Sequence, residues 1–232
     1  MKRYLIDYLM NARDLGGYVT KDQKKVPYGQ FIRSDAPHYL TQEGRDAFYA
    51  MGITTAIDFR TPEIAGKFVS TFRDDPRFVY MNYPIVEGSN AYSKSEEDSP
   101  QTYMRMLDHM DTFKNIMLGF INAPGGVFYN CSAGKDRTGV VTFLLLDLIG
   151  VDRSTILDDY AVSEKHIEER IGLVREAHPK FPASMGHSKK EWFLTFFDLF
   201  DKTYGSARQY LLKAGLTPYQ ITKLKKKLTR PQ

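Results

Sequence analysis

The sequence predicts an α/β fold: a central, mainly parallel sheet of four to five strands with helices on both faces, followed by a helical C-terminal part. Short apolar, β-branched segments alternate with helical patterns through the middle of the chain, whereas only helical patterns follow residue 150. The chain has 232 residues, 42% of them hydrophobic, which is enough to bury one large core. We therefore expect residues 1–232 to form a single domain.

Composition and charge narrow the classes of function. No run of about 18 apolar residues occurs, so we expect no membrane span. The apolar N-terminal segment is interrupted at once by Asp7, which argues against a secretory signal. The single cysteine excludes an internal disulfide and suits a reducing compartment, so we expect a cytoplasmic location. The net charge of +4 only weakly favours anionic substrates, and we expect no nucleic-acid partner.

The N-terminal quarter is predicted to contain an antiparallel pair and the first buried parallel strand. Residues 17–20 and 30–33 are predicted as paired strands joined by a charged turn. Thr41 is a suitable N-cap for a helix that ends at Gly52. The apolar, β-branched segment 53–59 follows, and its composition is typical of a strand buried on both faces.

The next segment is predicted to contain a helix, a strand, a long loop and another helix. Pro62 stands at the first position of a helix, and residues 78–85 are predicted as a strand. Residues 87–101 form a polar loop, either a mobile surface loop or a flap over a functional site. The apolar spacing in residues 103–122 predicts one helix.

Only helices are predicted after residue 150. Asp152 or Ser154 caps a long amphipathic helix that ends before Pro179. A second helix over residues 190–204 carries an aromatic stripe, which belongs either to the core or to a helical lid formed by residues 153–204. Two short helices follow. Their lysines are interpreted as a solvated face, with weak peripheral contact to a membrane surface as the alternative.

One stretch carries chemistry: an apolar strand, a tight loop and the start of a very apolar helix within residues 125–149. The loop opens with Cys131 and ends six positions later with Arg137, where the helix begins. Unpaired backbone N–H groups and the helix dipole make such a position an anion site, and they also stabilise a thiolate. Arg137 adds a fork of donors that fits two phosphate oxygens. The pattern indicates covalent chemistry on a phosphate dianion.

The remaining loop residues have supporting roles in this interpretation. The N–H groups of residues 132–137 are expected to bind phosphate oxygens, and Gly134 permits a backbone angle that a side chain would forbid. Thr138 offers a hydroxyl near the sulfur. Lys135 is either a solvated rim residue or a second positive charge for the substrate. Substrate contacts are therefore expected from Ser132, Ala133, Gly134, Lys135 and Thr138.

The loop Cys131-x5-Arg137-Thr138-Gly139 resembles the phosphate-binding loop of the protein tyrosine phosphatase superfamily. In full it is similar to that of a bacterial branch, the atypical tyrosine phosphatases that also act on phosphoinositides. Residues 11–18, 32–36 and 57–61 look like the Asn-Phe-Arg-Asp-Leu-Gly-Gly, Arg-Ser-Asp and Asp-Leu-Arg elements of that branch. The resemblance covers about residues 11–220 and implies a tyrosine phosphatase-like fold.

The loop chemistry and the resemblance together imply a two-step phosphatase. Cys131 attacks phosphorus and forms a phosphocysteine, which water then hydrolyses. The five histidines show no ligand spacing, so we expect no metal and no other cofactor. Many relatives have histidine before the cysteine, where this chain has Asn130. An amide carries no positive charge, so the thiolate is expected to be somewhat less stabilised.

Three carboxyl groups are alternatives for the general acid that protonates the leaving oxygen. Asp136 lies within the loop and matches the residue that the resemblance implies. Asp58 ends a predicted strand, and its alternative role is a structural ion pair with Arg60. Glu87 lies where dual-specificity relatives carry their acid on a mobile loop. We rank the three in that order.

The predicted activity is hydrolysis of phosphate monoesters: phosphotyrosine, with phosphoserine, phosphothreonine or phosphoinositides as further candidate substrates. The alternative is a catalytically weak phosphate-binding module of the same fold, motivated by Asn130 and by the open choice of acid. A nucleotide-binding P-loop is excluded, because Tyr129 stands where its first glycine is required and Asp136 where serine or threonine is required. A redox sensor is disfavoured, because the chain has no second cysteine.

Overall fold

The computed structural model describes residues 2–86, 99–179, 181 and 185–230. Its strands are β1 (Lys2–Arg3), β2 (Arg13–Asp14), β3 (Phe31–Ser34), β4 (Ile53–Asp58), β5 (Val79–Asn82) and β6 (Gly126–Asn130). Its helices are α1 (Gln42–Ala50), α2 (Pro62–Lys67), α3 (Ser99–Leu107), α4 (Met110–Asn122), α5 (Asp136–Leu148), α6 (Arg153–Ala177), α7 (Lys190–Tyr204), α8 (Ala207–Lys213) and α9 (Pro218–Thr229). As predicted, strands and helices alternate first and the described part of the chain after α5 is largely helical.

The strands form one sheet in the order β1-β2-β3-β6-β4-β5. β3, β6, β4 and β5 run parallel, and β1 and β2 are added antiparallel at one edge. The predicted α/β class and the mainly parallel sheet are confirmed. The expected count of four to five strands was too low. β1 and β2 have two residues each, which is too short for an alternating pattern to be visible in a sequence.

The register aligns the last residues of the parallel strands in one row. Asn130 of β6 lies opposite both Ser34 of β3 and Asp58 of β4, and Asp58 also lies opposite Asn82 of β5. The segments that follow these strands therefore leave the sheet at one edge. Open parallel sheets bind their ligands at this edge, and the loop after β6 lies between two neighbouring strands there.

The predicted antiparallel pair is shifted along the chain. Residues 30–33 pair through β3 with β2, rather than with residues 17–20. The carboxylate of Asp14 accepts hydrogen bonds from the N–H groups of Gly16 and Gly29, at 2.7 Å each. The N–H of Leu15 still donates to the Phe31 carbonyl of β3 at 2.9 Å, and the chain then turns at Gly16 through these contacts of Asp14, which a sequence pattern does not reveal.

The helix predicted over residues 103–122 is two helices, α3 and α4. The break lies at Asp108 and His109, where the backbone of His109 has ψ 58°, outside the helical range. The predicted start signals of the earlier helices are confirmed. Thr41 accepts a hydrogen bond from Gly44 at the start of α1, and Pro62 opens α2.

The sheet is covered on both faces. Along β6, Val127 and Tyr129 point into a large apolar cluster shared with α3 to α9, whereas Phe128 points into a smaller one that contains Phe48 of α1. This alternation follows from the two-residue period of a strand. Buried on both sides, β6 holds the loop that follows it in a fixed position.

The aromatic stripe of α7 is buried. Phe193 stacks on Tyr160 of α6 with ring centroids 3.9 Å apart and an angle of 7° between the ring planes. The other stripe residues are also buried: Trp192, Phe196, Phe197 and Phe200. This packing agrees with the core interpretation, while movement of residues 153–204 as a lid stays a prediction.

Candidate active site

The loop of residues 131–137 joins the end of β6 to the start of α5. Cys131 follows the last residue of β6; it is a free thiol and only 3% exposed. α5 begins at Asp136, so Arg137 lies in the first helical turn. The strand, the loop and the helix therefore occur where the sequence places them.

The backbone of this loop turns its carbonyl groups toward the protein. Four successive carbonyl oxygens accept hydrogen bonds from surrounding groups. The pairs are Ala36 N–H to Ser132 (3.2 Å), Asn11 Nδ2 to Ala133 (2.9 Å), Arg33 Nη2 to Gly134 (2.8 Å) and Gly139 N–H to Lys135 (2.7 Å). Within the described residues, the N–H groups of residues 132–136 donate to no protein acceptor. Five neighbouring donors at a helix N-terminus are thus available to an anion.

Gly134 is required at its position by both conformation and space. Its φ is +66°, and a Cβ there would lie 2.4 Å from the backbone carbonyl carbon of Ser34 and 2.6 Å from the backbone N of Asp35. Gly134→Ala is therefore expected to displace the loop and to lower kcat/KM for p-nitrophenyl phosphate by about 10²-fold. Steady-state kinetics measure this effect.

The control for Gly134→Ala is Gly172→Ala, a second glycine-to-alanine change in an exposed helical position of α6. A Cβ at Gly172 meets no atom within 4 Å. This variant should keep wild-type kcat/KM and gain about 0.5 to 1 kcal/mol in unfolding free energy. Wild-type kinetics in Gly134→Ala would mean that the loop has room for a side chain.

Arg137 and Thr138 lie in the first turn of α5. Arg137 Nη2 is 3.3 Å from Ser132 Oγ, so the guanidinium lies next to the exposed end of the loop. Thr138 is fully buried, and its hydroxyl oxygen has no hydrogen-bond partner in the described part of the chain. The hydroxyl of Thr138 is therefore available to donate a hydrogen bond to the sulfur of Cys131, and this role stays a prediction.

Asp136 is held by one oxygen and open at the other. Its Oδ1 accepts hydrogen bonds from Lys135 Nζ at 2.6 Å and from the Tyr103 hydroxyl at 2.8 Å. Burial and the charge of Asp136 raise the pKa of Tyr103 well above its usual range, so this phenol stays protonated and donates. Among the described residues, none donates to Oδ2, and the side chain is 31% exposed. A proton on Oδ2 could therefore reach a substrate.

Asp58 is placed differently. It is fully buried, and Arg60 binds both of its oxygens, through Nε at 2.9 Å and Nη2 at 2.6 Å. The backbone N–H of Arg60 and the Tyr80 hydroxyl, each at 3.0 Å, and Asn130 Nδ2 at 3.3 Å also donate to it. These contacts favour the structural alternative for Asp58. Glu87, the third candidate acid, lies outside the described residues.

Several buried side chains behind the loop were missed by sequence reasoning. Tyr103 supports Asp136, and Asp159 of α6 pairs with Arg13 and Arg33. One signal was available. Asp159 shares a helical face with the buried Ile156, and a carboxylate on a core-facing position requires buried partners.

His166 of α6 makes the stability of this region depend on pH. Its Nδ1 lies 3.2 Å from Asn11 Oδ1. Burial, followed by repulsion from Arg13 and Arg3, lowers the pKa of His166 to about 4. An unfolded histidine has a pKa of about 6.5. As the pH falls from about 6.5 to 4, the unfolded chain takes up this proton first, and the native state loses stability.

We expect His166 to remove about 2 kcal/mol of unfolding free energy between pH 8 and pH 5. Urea titrations at both pH values measure this loss. His166→Gln keeps a polar group beside Asn11 but does not titrate, so its loss should be smaller by that amount. Equal losses in the two proteins would contradict the assignment.

Two further properties concern the described ranges only. No helix in them combines the length and the apolarity needed to cross a membrane. In the same ranges, no group of three or more His, Cys, Asp or Glu side chains is arranged to hold a metal ion.

Comparison with known families gives one match over nearly the whole chain. A model described as the tyrosine phosphatase family matches residues 4–230. The matched range includes the cysteine loop, strands β2 to β6 and helices α1 to α9.

Three individual proteins illustrate the similarity, with sequence identities between 11% and 28%. A tyrosine-protein phosphatase of Nostoc commune is 28% identical over 221 residues, covering 88% of this chain and 75% of that protein. The triple specificity protein phosphatase PtpB of Mycobacterium tuberculosis is 27% identical over 247 residues, covering 85% of this chain and 90% of that protein. The cysteine-to-serine variant of P. aeruginosa TpbA, in its crystal structure with phosphotyrosine, is 11% identical to this chain. The structural match covers 74% of this chain and 90% of that one, with a TM-score of 0.37.

Proposed function

Because this chain belongs to the tyrosine phosphatase family, we propose that it hydrolyses phosphate monoesters through a phosphocysteine formed on Cys131. Its family makes it a phosphoric monoester hydrolase of the protein-tyrosine-phosphatase type. We assign the activity to one domain formed by residues 1–232, with the loop of residues 131–137 as its active centre.

The observation that carries the proposal is the orientation of the loop backbone. The carbonyl groups of residues 132–135 are occupied by protein donors, and the N–H groups of residues 132–136 are not engaged within the described residues. This arrangement, at the N-terminus of α5, fits the oxygens of a phosphate dianion. The same donors and dipole would stabilise a thiolate at Cys131.

In the proposed first step, the thiolate of Cys131 attacks phosphorus. The S–P bond forms and the P–O bond to the alcohol or phenol breaks, while the general acid gives its proton to the departing oxygen. Water then attacks phosphorus, the S–P bond breaks, and the thiolate and inorganic phosphate are released. The carboxylate takes the proton from the water. Arg137 and the loop N–H groups stabilise the three equatorial oxygens in both steps.

We propose Asp136 as the general acid, because its Oδ2 is open while Asp58 is fully engaged. Asp136→Asn is expected to lower kcat by about 10²-fold on phenyl phosphate. The loss should be smaller on p-nitrophenyl phosphate, whose leaving group departs readily without a proton. Steady-state kinetics on both substrates test this difference. Asp198→Asn, an exposed change on α7, is the control. Equal losses on both substrates would favour another acid, with Glu87 next.

The position of Lys135 bears on which substrates the site accepts. Its side chain is only 7% exposed, pairs with Asp136 and lies 6.0 Å from the ring of Trp192. A solvated rim residue would be exposed, so these contacts support a role for its charge at the site. We propose phosphotyrosine as the main substrate class. Phosphoserine, phosphothreonine and phosphoinositides are further candidates, because a similar protein bears the name triple specificity phosphatase.

A reducing location completes the proposal. A reactive thiolate without a second cysteine depends on external reductants for repair, so we place the protein in the cytoplasm. The lysines of α9 are proposed as a weak contact to anionic membrane surfaces. Those concerned are Lys223, Lys225 and Lys226, which are exposed; Lys227 is half-buried, and its Nζ donates to the Ala123 carbonyl oxygen.

The experiment that tests the function has two parts. Acid quenching during turnover of p-nitrophenyl phosphate, followed by mass spectrometry, should find a phosphate adduct on Cys131. A substrate panel of phosphotyrosine peptide, phosphoserine peptide and phosphoinositide should give the highest kcat/KM for phosphotyrosine. Turnover with an adduct on another residue would overturn the mechanism. Phosphate binding without adduct or turnover would favour the phosphate-binding module.

A further inference from the structure

A buried ionic cluster lies behind the loop, on the side away from solvent. It consists of Asp159 on α6, Arg13 on β2 and Arg33 on β3. The side chains of all three are at most 1% exposed. Buried charges are costly unless they are paired, so a cluster with two guanidinium groups and one carboxylate calls for a physical explanation.

Asp159 is the common partner of the two arginines. Arg13 Nε donates to its Oδ1 at 2.8 Å, Arg33 Nη1 donates to its Oδ2, and the Tyr18 hydroxyl donates to Oδ1 at 2.9 Å. Although burial opposes ionisation, the two guanidinium groups hold the pKa of Asp159 well below its usual range. Burial and the charge of Arg33 lower the pKa of Arg13, and Asp159 counteracts that shift. The carboxylate therefore holds two like charges together.

Each arginine connects the cluster to the catalytic loop. Arg33 donates through Nη2 to the carbonyl oxygens of Gly134, at 2.8 Å, and Lys135, at 3.4 Å. Arg13 Nη1 donates to Asn11 Oδ1 at 2.6 Å, which orients the amide of Asn11. The amide nitrogen of Asn11 then donates to the Gly134 carbonyl, at 3.1 Å, and to that of the preceding residue. One carboxylate thus orients both side chains that hold three successive loop carbonyls.

We propose that Asp159 is a positioning residue for phosphate binding: it fixes Arg13 and Arg33, and through them it keeps the loop carbonyls turned inward and the loop N–H groups turned toward the substrate. This inference rests on the proposed function and deepens it. A peptide group that rotates moves its N–H and its C=O together, so loss of the carbonyl anchors redirects the phosphate-binding donors. Asp159 itself touches no substrate and acts through its two partners.

The test compares Asp159→Asn with Asp158→Asn, the adjacent change on the same helix. Asp158 is exposed and pairs with Lys190 on the surface, so its loss should change each readout less than twofold. Asp159→Asn keeps the shape of the side chain but removes the charge that joins the arginines. Circular dichroism first establishes the temperature range in which each variant is folded, and all measurements are made within it.

Three readouts separate positioning from mere stability. Asp159→Asn should lower kcat/KM for p-nitrophenyl phosphate by about 10²-fold, because small displacements of catalytic groups have effects of that size. Tungstate, a tetrahedral dianion, should bind more weakly, as measured by fluorescence of the single tryptophan, Trp192, near Lys135. Alkylation of the only cysteine, Cys131, by iodoacetamide at one fixed, slightly acidic pH should become slower, because the loop N–H groups would no longer face the sulfur.

A second variant is available if Asp159→Asn does not fold. The double change Asp159→Asn and Arg33→Met removes one charge of each sign, so the buried net charge is the same as in the wild type. It should fold, and it should show the same three losses because the Gly134 and Lys135 carbonyls have lost Arg33. A folded variant with wild-type kinetics, tungstate affinity and alkylation rate would overturn the inference.

The outcomes also separate this inference from the proposed function. A wild-type protein that binds tungstate but turns over no substrate would overturn the hydrolase, while the effect of Asp159→Asn on tungstate binding and alkylation would still decide the role of Asp159. A wild-type protein that binds no tungstate, and whose Cys131 reacts with iodoacetamide no faster at that pH than the cysteine of a short peptide, would overturn both.

Discussion

Cys131→Ser is expected to lose at least about 10⁴-fold in kcat for p-nitrophenyl phosphate, the largest effect of any single change in this chain. A serine hydroxyl at this position is the weaker nucleophile, because the field of the α5 N-terminus ionises a thiol far more readily than an alcohol. The loop itself should be unchanged, because its carbonyl anchors come from Asn11, Arg33, Ala36 and Gly139.

Two measurements make the Cys131→Ser experiment decisive. Tungstate or inorganic phosphate should still quench or enhance the fluorescence of Trp192, which shows that the anion site persists. A thermal melt should lie close to that of the wild type. If the serine variant retained more than about one per cent of kcat, Cys131 would not be the nucleophile. Equal, near-zero rates in both proteins would favour the phosphate-binding module.

Arg137→Lys is expected to lower kcat/KM by about 10²- to 10³-fold, the second largest effect. Lysine keeps the charge but loses the two parallel donors that match two phosphate oxygens. Both kcat and tungstate affinity should fall, because the fork binds the ground state and the transition state. The measurement is steady-state kinetics together with a tungstate titration.

Arg77→Lys is the matched control for Arg137→Lys. Arg77 pairs with Asp46 and Asp75 on the surface and precedes the first residue of β5, whereas the loop follows the last residue of β6, at the opposite edge of these parallel strands. Its replacement by lysine should leave kcat/KM within a factor of two. A full wild-type kcat/KM in Arg137→Lys would show that charge alone suffices and would remove the bidentate role of Arg137 from the mechanism.

Much of the fold could be predicted because the signals that specify it are local. The apolar, β-branched run that forms β4, the cap at Thr41 and the proline at Pro62 act within a few residues of where they stand. The two-residue strands and the break at His109 were not predictable in this way. They depend on contacts made after the chain has folded, such as the hydrogen bonds to Asp14.

The choice of general acid also depends partly on local sequence and partly on contacts made in the folded chain. Asp136 and Asp58 were both plausible candidates, since Asp58 lies at the carboxyl end of a predicted strand and Asp136 in the loop that follows another. Part of the choice is local, because Arg60, two residues from Asp58, binds both of its oxygens, as the structural alternative required. The rest depends on neighbours remote in sequence: Tyr80, 22 residues away, donates to Asp58, and Tyr103, 33 residues away, donates to Asp136. The spacing of residues along the chain carries no information about such partners.

The sequence by itself determined that a sulfur and a guanidinium flank a helix N-terminus, because Cys131 and Arg137 are separated by one short loop and need no distant residue to be brought together. The tertiary structure alone decided which way that loop faces. Its carbonyls are held by Asn11 and Arg33, from 122 and 101 residues away, and Asp159 lies 146 residues from Arg13. The physical reason is that buried carbonyl groups need hydrogen-bond partners, and here those partners, apart from Gly139, come from the N-terminal part of the chain.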